Sequence, residues 1–309
     1  MGDTKGQILH LLRTEGDTVS GEILSTALGL SRTAVWKQIR KLQELGYAIE
    51  ASAKGYRLDG SPDMPLPWEF PGREETVHYF TEVSSTMDIA RKLARDGCPP
   101  FSVVVADRQT KGRGRLQRSW HSEPGGLYFT VVLRPLLPPL MSARVNFCAA
   151  LVLAQALKRL YDVAAAVKWP NDILVEERKL AGMLSEMEAE TDRIAYVNVG
   201  IGLNVNNDPS GAAAVATSLK EILGRPVSRI RLLQAYLEAL EARLARMEET
   251  DVIAEWKAHN VTIGRRVEIV TQRETVAGTA VDVDEHGSLI LQLSDGSLRT
   301  VIYGDCFHR

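Results

Sequence analysis

The sequence predicts an α+β chain in three parts. These are a helical N-terminal module closed by a two-stranded ribbon, a mixed α/β centre with a largely antiparallel sheet, and a small all-β end. Three observations carry this. Apolar residues recur at helical spacing in the first sixty or so positions. Short apolar runs crowd together between Ala166 and Val205, close enough to pair as hairpins. From Gly264 onward, turn residues interrupt short alternating runs. At 309 residues the chain exceeds what one core normally serves.

The N-terminal elements follow from caps and stripes. Ile8, Leu11 and Leu12 share one face of a first helix. Ser20 is placed to cap a second, carrying Ile23, Leu24, Ala27 and Leu28, with Gly29 at the turn. Ser31 caps a third, whose Val35, Ile39 and Leu42 recur at i, i+4, i+7, and Gly46 ends it. YAIEA and YRL then read as two strands around Ala53-Lys54-Gly55. This order is that of a winged helix-turn-helix. The stretch Ser61–Gly72 holds four prolines and reads as a stiff linker.

In the centre, a helix starts after Ser84, Ser85 and Thr86 and runs towards Gly97. SVVVA from Ser102 is a strand feeding a basic loop, and GLYFTVVL from Gly126 is another. Met141–Leu160 is a long apolar helix. AVKW, ILV, GMLSEME and AYVNVGIGLNV are strands, followed by helices near Arg229–Met247 and Val252–His259. The expected layer has helices on one side of the sheet. Ala212–Ala214 is a short flexible piece. At the end, RRVEIVT, VAGTAVDV, SLILQL and LRTVIY are strands of a small barrel, turned at Asp284–Gly287 and Ser294–Ser297. The expected division is 1–60, a linker at 61–75, 76–261 and 262–309.

Composition narrows the functions. A net charge of −2 excludes a wholly basic nucleic-acid coat, so any nucleic-acid contact is a local patch. Cys98, Cys148 and Cys306 are distant and odd in number, which fits a reducing cytoplasm and no disulfide framework. The N-terminus lacks a signal peptide's apolar run. The most apolar stretch, Cys148–Leu157, is too short to span a bilayer. The six histidines show no metal spacing, and no nucleophile motif appears.

Two segments carry chemistry. Gln109–Trp120, QTKGRGRLQRSW, places Arg113, Arg115 and Arg118 among Gly112 and Gly114 with no acid. Glycine allows close backbone approach and guanidinium grips carboxylate or phosphate in two places, so the loop suits anion capture. It matches neither the phosphate loop nor the dinucleotide fingerprint. A plain basic surface loop is the competing reading. Lys168–Asp172, KWPND, precedes Arg178–Gly182. A hairpin there brings Lys168, Asp172 and Lys179 to one end of the sheet, offering cations for phosphate and a carboxylate for Mg²⁺ or an amine. Alone, the segment also reads as a turn with a buried Trp169. Asn204 either caps a strand end or faces a base edge. On the third helix, Ser31, Arg32, Thr33, Trp36, Lys37, Arg40 and Lys41 lie mostly opposite the buried stripe, where they can enter a major groove or serve as a solvated face.

Together these residues resemble the biotin protein ligases of the bifunctional kind that also repress the biotin operon. GRGRLQRSW, KWPND, RKLAG, GIGLNVN and the SRTAVWK helix match in order over nearly the whole chain. The resemblance implies that biotin carboxylate attacks the α-phosphorus of ATP, giving biotinyl-5′-AMP and pyrophosphate. A lysine of biotin carboxyl carrier protein then takes the acyl group and AMP leaves. It implies Ser85, Thr86, Met87 and Gln109 at biotin, and Gly112, Arg113, Gly114 and Arg115 in a loop ordered over the adenylate with Arg118 in support. Trp120 would lie beneath the loop and Lys179, with Gly182 in its segment, at carboxylate and α-phosphate. Lys168 and Asp172 would position phosphate, Mg²⁺ or the amine, with Asn171 and Asn204 at adenine. Arg115, Arg118, Lys168, Asp172 and Lys179 form the expected catalytic set. Ser31, Arg32, Thr33, Trp36, Lys37 and Arg40 would read operator DNA. Also implied are an SH3-like barrel at the C-terminus, a homodimer and MgATP as co-substrate. Met87 departs from the family's asparagine, and Trp36 from a small polar residue. A ligand-sensing regulator with an inactive ligase domain and a lipoate-type ligase are the alternatives.

Overall fold

The computed structural model describes residues 3–191, 193–210 and 215–309, so Ala212–Ala214 lies outside it. The chain packs as two compact units, Met1–Val77 and His78–Arg309.

In the first unit, α1 (Thr4–Glu15), α2 (Gly21–Leu28) and α3 (Arg32–Glu44) precede β1 (Ala48–Ser52) and β2 (Gly55–Gly60). The expected caps form: Ser20 accepts from the Ile23 amide and Ser31 from that of Ala34. Gly46 adopts φ +92° just past α3. Val35, Ile39 and Leu42 are buried with Ile8, Leu9 and Leu12. Ile23 and Ala27 are exposed, against expectation. Their face lies about 100° from that of Leu24 and Leu28, and a two-turn helix has one face to bury. Gly55 is required at the ribbon turn, because a Cβ there would stand 2.2 Å from the Val19 carbonyl oxygen.

Ser61–Gly72, expected as a stiff linker, is in part built into the first unit. Leu66, Glu69 and Phe70 are buried, and a 3-10 turn spans Pro67–Glu69. Arg13 Nη2 donates to Glu69 at 2.9 Å, Tyr47 donates to the same carboxylate, and Trp68 Nε1 donates to Tyr47 Oη at 2.8 Å. A buried carboxylate persists only with such partners, so this segment belongs to the packing of the first unit.

The second unit contains β3 (Val77–Val83), α4 (Thr86–Arg95), β4 (Ser102–Gln109), β5 (Leu127–Leu133), α5 (Ser142–Tyr161), β6 (Ala166–Lys168), β7 (Asp172–Val175), β8 (Arg178–Ala189) and β9 (Ile194–Leu203). Helices α6 (Leu219–Leu223), α7 (Arg229–Leu244) and α8 (Val252–Ala258) follow, α6 being too short to show a period. The sheet order is β3-β4-β5-β9-β8-β7-β6, antiparallel from β4 to β6.

Helices cover both faces of this sheet, which corrects the one-sided expectation. Adjacent residues of a strand point to opposite faces. On β8, Ser185 donates to Asn146 of α5 at 3.0 Å, while Glu186 accepts from Arg91 of α4 at 3.1 Å. The α5 face also holds Phe129, edge-on to Tyr236 of α7. Pro139–Tyr161 is long and apolar enough to cross a membrane by length and composition, beyond the short stretch read from sequence. Its apolar side chains from Val145 to Leu157 are buried, and Phe147 stacks on Trp256 at 4.4 Å. It is the core helix of this unit.

Strands β10 (Arg266–Val270), β11 (Thr275–Val283), β12 (Leu289–Gln292), β13 (Leu298–Val301) and β14 (Asp305–His308) form a five-stranded antiparallel sheet in the order β13-β12-β11-β10-β14. Trp169 fastens it to the turn after β6: its amide donates to Thr262 Oγ1 and its indole to the Gly287 carbonyl, both at 3.0 Å.

Candidate active site

The site begins with the hairpin of β6, β7 and β8. Lys168 pairs in register with Asp172, and Asp172 with Gly182. Lys179 Nζ stands 2.7 Å from Asp172 Oδ1 and 5.4 Å from the centre of the Trp120 ring. The indole lies on glycines: a Cβ on Gly202 would stand 2.3 Å from Trp120 Cε2, and one on Gly182 would stand 2.9 Å from Cζ3. Gly182, Gly200 and Gly202 thus clear a floor on the face opposite α5. Trp120 Nε1 has no hydrogen-bond partner among the described residues.

The rear wall is the start of α4. Ser85 makes no capping bond, and Gln109 of β4 takes that role: its Oε1 accepts from the Thr86 amide at 2.8 Å and the Thr86 hydroxyl at 3.1 Å. Gln109 Nε2 donates to Ser122 Oγ at 3.0 Å. Thr86 also bonds Thr130 at 2.9 Å. Met87 fills the space over Gly200, where a Cβ would stand 2.8 Å from its Cε.

The basic loop closes the front, and its three arginines part company. Arg113 donates to Asp88 at 2.8 Å. Arg118 pairs with Asp305 of β14 at 2.7 Å and lies 5.5 Å from the Phe307 ring centre. Arg115 lines the cavity, and burial lowers its affinity for the proton while Asp305 and Asp172 oppose the shift. Burial also pushes the Cys306 thiol up to about 12, so it stays protonated in the wall.

These parts enclose one cavity of about 290 Å³, near the lower end for small-molecule sites. Ser85, Thr86, Met87, Gln109, Arg113, Gly114, Arg115, Arg118, Trp120, Lys168, Asn171, Asp172, Lys179 and Gly182 all line it. Two expected residues do not. Gly112 sits behind the loop, its carbonyl accepting from the Trp120 amide at 2.9 Å. Asn204 is turned away: its Oδ1 accepts from Asn207 at 3.1 Å, and its carbonyl receives the Leu219 amide at 3.2 Å. β9 ends at Leu203, so Asn204 organises the following loop. Asn171 donates its side-chain amide to the Met183 carbonyl, leaving its oxygen for the cavity. Sequence reading missed Thr130, Gly200, Gly202, Asp305, Cys306 and Phe307 in the lining. The glycines at i and i+2 of one strand were a usable signal of a bare face.

In the first unit, Ser31, Arg32, Thr33, Trp36, Lys37, Arg40 and Lys41 are all exposed. Arg32 pairs with Glu22 at 2.7 Å, and the Arg40 guanidinium lies 5.9 Å from the Trp36 ring centre.

Three family models match the chain. They are an HTH domain over residues 5–57, the biotin/lipoate A/B protein ligase family over 79–204, and the biotin protein ligase C terminal domain over 262–309. The class is thus a ligase domain carried with a helix-turn-helix module. The bifunctional ligase/repressor BirA of Bacillus subtilis (strain 168) is 36% identical over 90% of this chain and 90% of its own length. The biotin protein ligase of Aquifex aeolicus, solved in complex with biotin and ATP, is similar with a TM-score of 0.64 and 28% identity. That match covers 76% of this chain and 99% of the other. The Leishmania major enzyme, solved with biotinyl-5-AMP, is similar with a TM-score of 0.52 and 26% identity, over 73% of this chain and 98% of the other. The chain belongs to the family of bifunctional biotin protein ligase/repressors.

Proposed function

We propose that this chain activates biotin as biotinyl-5′-AMP, passes the acyl group to a lysine of a biotin carboxyl carrier protein, and represses transcription through its N-terminal module. The observation that carries the ligase reading is the convergence of Arg115, Lys168 and Lys179 on one cavity from three separate elements, beside Asp172.

Biotin is proposed to lie between the start of α4 and the Trp120 ring, with Ser85, Thr86 and Gln109 around its ureido ring. Its carboxylate points to Lys179, displacing that ammonium from Asp172. Attack on the α-phosphorus builds charge on a five-coordinate centre, and fixed cations stabilise that charge in a site shielded from water. Arg115 and Lys179 supply it at the α-phosphate, and Lys168 at the departing pyrophosphate. Mg²⁺ enters with ATP as part of the substrate. The Trp120 ring packs beneath the loop, and Asn171 turns its oxygen to adenine. In the second step the carrier amine attacks the acyl carbon and AMP leaves. Asp172, released from Lys179, orients that amine and takes its proton. A loop closed over the mixed anhydride keeps water from hydrolysing it.

The same reading extends to the finer architecture. The C-terminal strands close as an SH3-like barrel, and the domains are 1–60 with 61–75 packed against it, then 76–261 and 262–309. Two chains pair through an edge strand of the seven-stranded sheet, so that two modules meet two operator half-sites. Ser31, Arg32, Thr33, Trp36, Lys37 and Arg40 face the DNA, and the protein works in the cytoplasm.

Incubation with biotin, [α-³²P]ATP and Mg²⁺ is expected to give labelled biotinyl adenylate, and a carrier domain then becomes biotinylated on a blot. Lys179→Ala should cut adenylate formation by about a hundredfold, the scale of losing one donor to a developing charge. Folded protein that forms no adenylate would refute the reading. Adenylate without transfer would favour a sensing regulator, and preference for lipoate in competition would reassign the substrate.

A further inference from the structure

Arg113 is engaged by groups to which the proposed chemistry gives no part. Its Nη2 stands 2.8 Å from Asp88 Oδ1 on α4 and 3.5 Å from Glu186 Oε1 on β8. Arg91, one turn further along α4, lies 3.3 Å from Asp88 Oδ1, and its Nε donates to Glu186 Oε2 at 3.1 Å. Two carboxylates and two guanidiniums therefore alternate around a closed ring drawn from the loop, α4 and β8. All four side chains are about one third exposed.

The ring's position decides its meaning. Asp88 directly follows Met87, and Glu186 is two residues beyond Leu184 on the same face of β8. Met87 and Leu184 both line the cavity. The ring thus sits at the rim, where the loop comes down beside the ligand space. Arg91 fixes the spacing of the two carboxylates without the loop, so the seat exists before the loop arrives. Two acids this close repel unless cations lie between them. Arg91 neutralises one charge, and the second remains for Arg113. At the loop's other end Arg118 meets Asp305. Only Arg115, between them, faces the cavity without a carboxylate within salt-bridge distance among the described residues.

We propose that Asp88 and Glu186, spaced by Arg91, are positioning residues that hold the loop shut over the acyl adenylate by seating Arg113. The inference rests on the ligase reading and adds to it what governs retention of the intermediate. The seat is weak enough to open. Exposed ion pairs each shift an equilibrium by roughly two- to fivefold, so the two contacts to Arg113 together hold the loop by about tenfold. That suits a loop that must admit biotin and ATP and later a lysine.

The test measures escape of the intermediate. The full chain is loaded with biotin, [α-³²P]ATP and Mg²⁺, then chased with excess unlabelled substrates, and bound label is followed with time. The Asp88→Asn/Glu186→Gln double variant should lose label about tenfold faster than the wild type while keeping its thermal midpoint. Wild-type escape should speed up with added NaCl, and escape from the double variant should not. A merely structural role would lower the midpoint and leave the salt dependence intact. Escape at the wild-type rate from the folded double variant overturns the seat and leaves the ligase reading standing. A wild type that forms no adenylate overturns both. Should the double variant misfold, Asp88→Asn alone and the wild-type salt series decide, and salt-independent wild-type escape counts against the seat.

Discussion

Gly202→Ala tests the floor of the cavity directly. A methyl group there would stand 2.3 Å from Trp120 Cε2, 2.4 Å from Nε1 and 2.8 Å from Cδ2. Carbon atoms pack best at about 3.5–4.0 Å, so the indole must retreat by more than about 1 Å. It has no room towards β8, where a Cβ on Gly182 would already stand 2.9 Å from the ring and 3.3 Å from Lys179 Nζ. Overpacking of this kind costs about 1–3 kcal/mol. If that strain falls on the placement of Trp120 and Lys179, kcat/KM for adenylate formation drops by roughly ten- to a hundredfold, at about 1.4 kcal/mol per factor of ten. The assay is pyrophosphate release dependent on biotin and ATP, with tryptophan fluorescence reporting the ring. Gly60→Ala is the comparison, since its Cβ would meet Ala48 Cβ at an ordinary 3.7 Å in the first unit. It should retain activity within about threefold, having no strain to absorb. Full kcat/KM with unchanged fluorescence in Gly202→Ala, or equal damage in Gly60→Ala, would refute the reasoning.

Two further outcomes are expected. Burial, aided by Lys168 and Arg265, pushes His308 down from 6.5 to about 4, with Glu177 opposing. The unfolded chain therefore takes up this proton first, so stability holds above about pH 6.5 and declines as pH falls towards 4. The difference between wild-type and His308→Gln thermal midpoints should change across that window, and a flat difference would count against the burial argument. For DNA, Lys37→Ala and Arg40→Ala should each lower the slope of log K against log salt by about one, as expected for a lost phosphate contact. Unchanged slopes would remove these residues from the interface.

Much of the local structure was written in short windows of sequence. Ser20 and Ser31 cap because a hydroxyl before a helix meets unpaired amides, and Val35, Ile39 and Leu42 fall inside because their spacing matches the helical period. The hairpin that brings Lys168, Asp172 and Lys179 together follows from turn residues between strands a few positions apart. Such features need only neighbours along the chain. Others were decided by pieces distant in sequence. β14 has four residues and no legible period; it becomes a strand by pairing with β10, and so delivers Asp305 and Phe307 to Arg118. The loop's composition announced anion capture but not which arginine would face the ligand, since the acids that occupy Arg113 and Arg118 come from α4, β8 and β14. Asn204 looked available until the loop after β9 drew its side chain to Asn207. Period and capping act over a few residues and are local in the chain. Which charges meet depends on how separate elements dock, and only the tertiary structure specifies that.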